Sequence, residues 1–157
     1  MHIYLLSVGT KMPNWVQVGY AEYARRFGNG CSLRLVEIPL GRRGKDQDVA
    51  RAVAQEGEHI LRALPDCDFW LVALDVTGRD FSTMEFAGEI NRHLASGRDL
   101  VIMIGGPDGL STVCQQRAHD RWSLSRMTFP HSLVRVVLAE QLYRAWSVVQ
   151  GHPYHRE

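Results

Sequence analysis

The 157-residue sequence predicts an α/β fold, a mostly parallel sheet with helices on both faces. Three observations carry this. Short apolar runs alternate with helix-like stretches along the chain. Two of the runs, FWLVAL and LVIMI, are continuously apolar, as central strands covered on both faces must be. No repeat, low-complexity tract or linker breaks the rhythm, so residues 1–157 read as one domain of a length that buries a real core.

The first strand is HIYLLSV (2–8), and the helix after it keeps Val16, Tyr20, Tyr23 and Phe27 on one face. SLRLVEI (32–38) is the second strand; Val49, Val53, Ile60 and Leu64 mark the next helix face. DFWLVAL (68–74) is the third strand. Ser82-Thr-Met-Glu85 then has the spacing of a capping box, opening a helix with Phe86, Ile90 and Leu94 on one side. DLVIMI (99–104) is the fourth strand and is followed by a polar, helix-like stretch. WSLSRMTF (122–129) is a weaker fifth strand, and the longest helix, 132–150, closes the chain before the tail GHPYHRE.

Composition narrows the class. With 45% hydrophobic and 22% charged residues the chain is ordinary for a soluble globular protein. No apolar run approaches the roughly 18 residues that span a bilayer, and the start lacks the basic lead and small-residue cleavage site of a signal peptide, so a cytoplasmic protein is expected. Cys31, Cys67 and Cys114 form no C-x-x-C pair and have no clustered histidine, which supports neither a disulfide framework nor a metal site; three buried thiols are expected. The net charge is +1, but the cations are 16 arginines against Lys11 and Lys45 alone. An arginine fork suits phosphate oxygens and base edges, although a GC-rich genome would produce the same bias. Two clusters stand out: Arg25 and Arg26 at the end of the first helix, and Arg42, Arg43 and Lys45 in the loop GRRGK. Solvated surface charge is the alternative for each.

Open α/β sheets hold ligands beyond the carboxyl ends of their strands. The loops there are Gly9-Thr10-Lys11, 39–45, Asp75-Val76-Thr77-Gly78, Gly105 to Gly109 and Pro130-His131. In GGPDG, Pro107 presets a tight turn, Asp108 and Gly109 suit its far side, and Gly105 and Gly106 would let a ligand approach the backbone. A purely structural strand-to-helix turn is the competing reading. No lysine follows the glycines, so the loop is neither a Walker loop nor a dinucleotide fingerprint. In the tail, His152, Tyr154, His155 and Arg156 fall within six residues, either as a frayed terminus or as a segment that completes a site with rings for stacking and a guanidinium for phosphate.

The stretches LSVGTKMPNWV, IGGPDGLS and LSRMTFPHSLVRVVLAEQLYRAW, followed by HPYHRE, closely resemble the ribosomal RNA large subunit methyltransferase H family of the SPOUT superfamily, in the same order over essentially the whole chain. The resemblance implies a homodimer with a carboxyl-terminal trefoil knot, which no periodicity reveals. It implies transfer of a methyl group from S-adenosylmethionine to N3 of a pseudouridine in large-subunit (23S) rRNA on the assembled ribosome, without a metal. By motif match, Leu74, Gly105, Gly106, Leu124, Ser125, Arg126, Met127, Thr128 and Phe129 would hold the methyl donor. His131, His152, Tyr154 and Arg156 would act on the target base, with the tail of one subunit over the donor site of the other. Arg25, Arg26, Arg42, Arg43 and Lys45 would contact phosphates. Asp108 stands where relatives carry Glu, one carbon longer. A ribosome-associated RNA-binding protein that keeps the fold without catalysis is the alternative.

Overall fold

Strand β1 (His2–Val8) is one in from the edge of a five-stranded sheet, with β2 (Ser32–Ile38) outside it and the central strand β4 (Asp99–Ile104) on its other side. β3 (Phe69–Arg79) and β5 (Asp120–Trp122) complete the order β2-β1-β4-β3-β5, and every pairing is parallel. The computed structural model describes residues 1–44 and 48–156.

The apolar runs sit where two-sided burial demands. Leu100 to Ile104 are each at most 2% exposed, because β4 has a strand on either edge and helices above and below. Period-two alternation divides the sheet between two cores. Ile3, Leu5, Val72, Leu100 and Ile102 pack toward α3 (Thr83–Ser96) and α5 (His131–Val149), with α1 (Asn14–Ala24) beside α5. Leu6, Val8, Leu71, Val101 and Met103 pack toward α2 (Val49–Arg62) and α4 (Thr112–Arg117). At 25 cal/mol per Å2 a fully buried aliphatic side chain contributes about 2 kcal/mol, so these two layers dominate the fold's stabilisation.

The capping box is present as expected. Ser82 Oγ accepts from Glu85 N (3.2 Å), Glu85 Oε2 accepts from Ser82 N (2.7 Å), and Gly97 ends α3 in the left-handed region at φ 73°.

Four expectations need correction. The stretch 122–129 is a strand only at its first residue, where Trp122 ends β5. Ser123 Oγ donates to the Ser125 carbonyl and Met127 N to Ser125 Oγ, so local side-chain bonds satisfy the backbone that a ladder would have used. Residues 75–78 are strand rather than loop. β3 continues to Arg79, with a register shift against β5 between Leu74 and Arg79. Of the three free cysteines only Cys31 and Cys114 are buried; Cys67 is exposed. On α2 the buried set is Ala52, Glu56, Gly57 and Ile60, and Val49 is 39% exposed. The helix is rotated because Gly57 lies against α4: a Cβ there would stand 2.3 Å from Ser111 Oγ.

Among the described residues no helix is long and apolar enough to cross a membrane.

Candidate functional site

Beyond the carboxyl ends of β3 and β4 lies a cleft of about 690 Å3, walled mainly by three segments separate in sequence. Leu74, Asp75 and Val76 come from β3, residues 104–110 from the end of β4 and its loop, and 123–131 from the segment entering α5. The volume falls within the roughly 300–1,000 Å3 that holds a small-molecule ligand, and the site is where a parallel sheet leaves such a crevice.

The 105–110 wall is a hairpin-like turn. Gly109 N donates to the Gly106 carbonyl (3.1 Å), Pro107 and Asp108 take the central positions, and Gly109 has φ 81°. The two leading glycines serve geometry first. A Cβ on Gly105 would lie 2.5 Å from the Gly109 carbonyl carbon, so the turn closes only with glycine there. A Cβ on Gly106 would point at Val8 Cγ1 (2.9 Å) and Glu56 Oε1 (3.5 Å), toward the protein and away from ligand space.

On the other wall, residues 124–129 wrap the opening. Leu124, Ser125, Met127, Thr128 and Phe129 line the cleft; Arg126 does not, and its side chain is exposed. Met127 is 73% exposed, leaving an apolar side chain at the rim.

His131, the first residue of α5, reaches the same cleft. Its height is set by Arg135, one turn on and only 1% exposed. Arg135 donates to Glu37 Oε2 (2.8 Å), Ser7 Oγ (3.0 Å) and the Gly9 carbonyl (3.0 Å), clamping α5 to the ends of β1 and β2. Burial first, and the Arg135 charge second, hold the His131 imidazole below the ordinary histidine range. A neutral ring at physiological pH can accept a proton or a hydrogen bond.

The remaining candidates lie elsewhere in the chain. His152, Tyr154 and Arg156 follow the other end of α5; its 19 residues, rising about 1.5 Å each, put roughly 28 Å between the two ends. The tail is ordered against its own chain as a 3₁₀ turn (Pro153–Arg156). The Tyr154 ring meets Tyr143 edge-on at 4.7 Å between centroids, and its hydroxyl donates to Glu140 Oε1 (3.0 Å). Burial, then Glu140, push the Tyr154 phenol up, so it acts as a donor rather than a base. Arg26 and Arg144 lie over the same ring at 5.6 and 5.0 Å. Arg25 and Arg26 share the Glu22 carboxylate at 2.5 and 2.6 Å.

In the β2–α2 loop Arg42 is exposed, with its amide donating to Gln55 Oε1 (3.1 Å). Arg43 turns inward: its guanidinium donates to Asp108 Oδ2 (2.9 and 3.0 Å) and to Glu56 (3.1 and 3.3 Å). Lys45 lies outside the described residues. Sequence reasoning missed Glu56 and Arg135. Both had a signal, since each is a charge set within the apolar face of a helix: Glu56 lies at i+4 between Ala52 and Ile60, and Arg135 precedes Leu138 and Ala139.

The sequence profile described as predicted SPOUT methyltransferase matches residues 1–155. The chain is 59% identical over 156 residues to ribosomal RNA large subunit methyltransferase H of Alkalilimnicola ehrlichii, covering 99% of each. It is 54% identical over the full length of both chains to the protein of the same name from Thioalkalivibrio sulfidiphilus. Among solved structures, a probable methyltransferase from Bordetella pertussis Tohama I superposes with a TM-score of 0.54 at 17% identity, over 91% of this chain and 95% of that one. A probable methylase family protein from Haemophilus influenzae Rd KW20 gives 0.52 at 14%, over 98% and 69%. At such identities the two structures speak for the fold alone. A full-length profile match and relatives above 50% identity over whole chains place this protein in the SPOUT methyltransferase family, among the ribosomal RNA large subunit methyltransferases H.

Proposed function

We propose that the protein transfers a methyl group from S-adenosylmethionine to N3 of a pseudouridine in 23S rRNA, acting as a homodimer on the assembled large-subunit-containing ribosome in the cytoplasm. The observation that carries the reading is the strand-end cleft closed by the glycine turn and the 124–129 loop, with His131 at its edge. The name shared by the whole-chain relatives supplies the RNA substrate class. The trefoil knot expected for the family belongs to the same proposal.

The cleft suits such a donor. Leu74, Ile104, Leu124 and Phe129 offer apolar walls for flat and aliphatic parts, and the turn brings main chain to the surface without a phosphate-gripping lysine, as a cationic ligand lacking phosphates requires. The donor, when bound, supplies a methyl already activated on a sulfonium. What falls to the protein is alignment of the acceptor nitrogen and custody of its proton, and positioning of this kind supplies up to about 7–11 kcal/mol of barrier reduction. His131, held neutral, is placed to accept a hydrogen bond or proton at the cleft edge. The span between His131 and the tail excludes both from one active site within a single protomer, so the dimer reading assigns His152, Tyr154 and Arg156 to the partner's cleft. Arg25, Arg26, Arg42 and Lys45 are proposed to contact phosphates, which position RNA without specifying its sequence.

Calorimetry with S-adenosylmethionine and mass spectrometry of rRNA nucleosides from a strain lacking the gene test the proposal. A missing methyl restored by the intact gene is expected. An unchanged methylation profile would leave the protein as a non-catalytic RNA binder with this fold.

A further inference from the structure

Arg43 belongs by sequence to the basic loop GRRGK, yet it alone of the described cations there faces inward. Its guanidinium bridges two carboxylates of different elements: Glu56 of α2, 2% exposed, at 3.1 and 3.3 Å, and Asp108 at the apex of the cleft turn, at 2.9 and 3.0 Å. Nη1 donates to the Gly41 carbonyl (3.1 Å), so all three nitrogens of the fork are engaged by the protein itself. Glu56 also lies directly beneath the turn, 3.5 Å from where a Gly106 Cβ would stand. Glu56 thus underlies the turn, Asp108 forms its tip, and Arg43 bonds to both.

From this geometry we infer that Arg43 is a positioning residue of the methyl-donor cleft, fixing the 105–110 turn through Asp108, and is not a phosphate ligand. The inference rests on the proposed methyl-donor reading of the cleft and deepens it. A bidentate bridge between ionised groups is stronger and more directional than a neutral hydrogen bond, and Arg is the residue whose planar fork can satisfy two carboxylates at once. Both carboxylates, Glu56 first, hold the Arg43 guanidinium more firmly charged. Recruiting it to RNA would leave Glu56 as a buried carboxylate without its counter-charge, a strongly unfavourable exchange. The loop therefore divides its labour: exposed Arg42 is free to face RNA, while Arg43 ties the same loop to the donor wall.

The test compares Arg43→Ala, Arg43→Lys, Asp108→Asn, Arg42→Ala and the Arg43→Ala/Asp108→Asn pair, each checked for folding by thermal melt. Calorimetry gives affinity for S-adenosylmethionine; sedimentation with ribosomes at graded salt gives the electrostatic slope. Arg43→Ala should weaken donor affinity by about tenfold or more, the size of one lost charge-assisted contact, while leaving the salt slope at its wild-type value. Arg43→Lys should recover part of the affinity, since an ammonium reaches one carboxylate but cannot bridge two. Arg42→Ala should do the reverse of Arg43→Ala, lowering the salt slope by about one and sparing the donor. Asp108→Asn leaves the buried Arg43–Glu56 pair in place, so it tests the link even if Arg43→Ala fails to fold. It should weaken the donor in the wild-type background and add nothing once Arg43 is gone, where a direct contact between Asp108 and the donor would still register. Wild-type donor affinity in folded Arg43→Ala or in Asp108→Asn, or a salt slope lowered by Arg43→Ala, overturns the inference alone. Failure of the wild-type protein to bind the donor overturns it together with the proposed function.

Discussion

Gly105 and Gly106 look alike in sequence, and both suggested room for a ligand. The structure separates them. Gly105 is obligatory because its missing Cβ permits the Gly109 main chain to pass, whereas a Cβ on Gly106 would press on the Val8 side chain. The glycines were legible; which atoms they avoid was not, since that depends on a turn folding back and on the end of β1 at the start of the chain. A bulky residue at Gly106 consequently tests core packing rather than ligand space. Gly105→Ala is the informative change: it should open the turn, cost about 1–3 kcal/mol as overpacking does, and weaken S-adenosylmethionine binding, as read by denaturant melts and calorimetry. Unchanged stability and affinity would show that the turn tolerates a Cβ. Histidine offers a second test at this scale. Burial, then Arg92, holds His93 below its ordinary value against the opposing pull of Glu89 and Asp120. The unfolded chain protonates this ring near pH 6.5 while the folded chain resists, so its contribution to stability is complete above about 6.5 and is lost as pH falls from there toward the folded value. His93→Gln should flatten the decline in unfolding free energy as pH falls below about 6.5; an unaltered slope would remove His93 as its source.

At the level of elements, strands and helices were largely visible because their burial is periodic. β1, β2 and β4 fall on the expected residues, and Ser82 and Glu85 cap α3 as their spacing predicts. What periodicity could not show is where two elements touch. The rotation of α2 follows from the Gly57 contact with Ser111, and the loss of strand after Trp122 from serine side chains that bond the local backbone. The tail is the clearest case. HPYHRE reads equally well as a frayed terminus, yet Tyr154 is tied to Tyr143 and Glu140 of α5. Tyr154→Phe keeps the ring contacts and removes the hydroxyl bond, so it should lower unfolding free energy by about 1 kcal/mol in urea melts, whereas a frayed tail would show no change.

Across the whole molecule, the length of α5 places the cleft at one end and the tail at the other, a separation already implied by the long helix the periodicity predicts between His131 and HPYHRE. If both ends serve one reaction, two chains must meet. Mixing a Gly105→Ala subunit with one lacking residues 152–157 should then raise methylation above that of either variant alone, because one intact cleft faces one intact tail. No recovery in mixtures where heterodimers are shown to form would put the site within one chain and strip His152, Tyr154 and Arg156 of their proposed roles. The central claim is methyl transfer itself, and it is tested most directly by incubating the purified protein with isotopically methyl-labelled S-adenosylmethionine and ribosomes from a strain lacking the gene, then locating the label by mass spectrometry of the 23S rRNA. The expected result is one labelled methyl on N3 of a pseudouridine; absence of label from the RNA, with a folded protein and intact ribosomes, would contradict it.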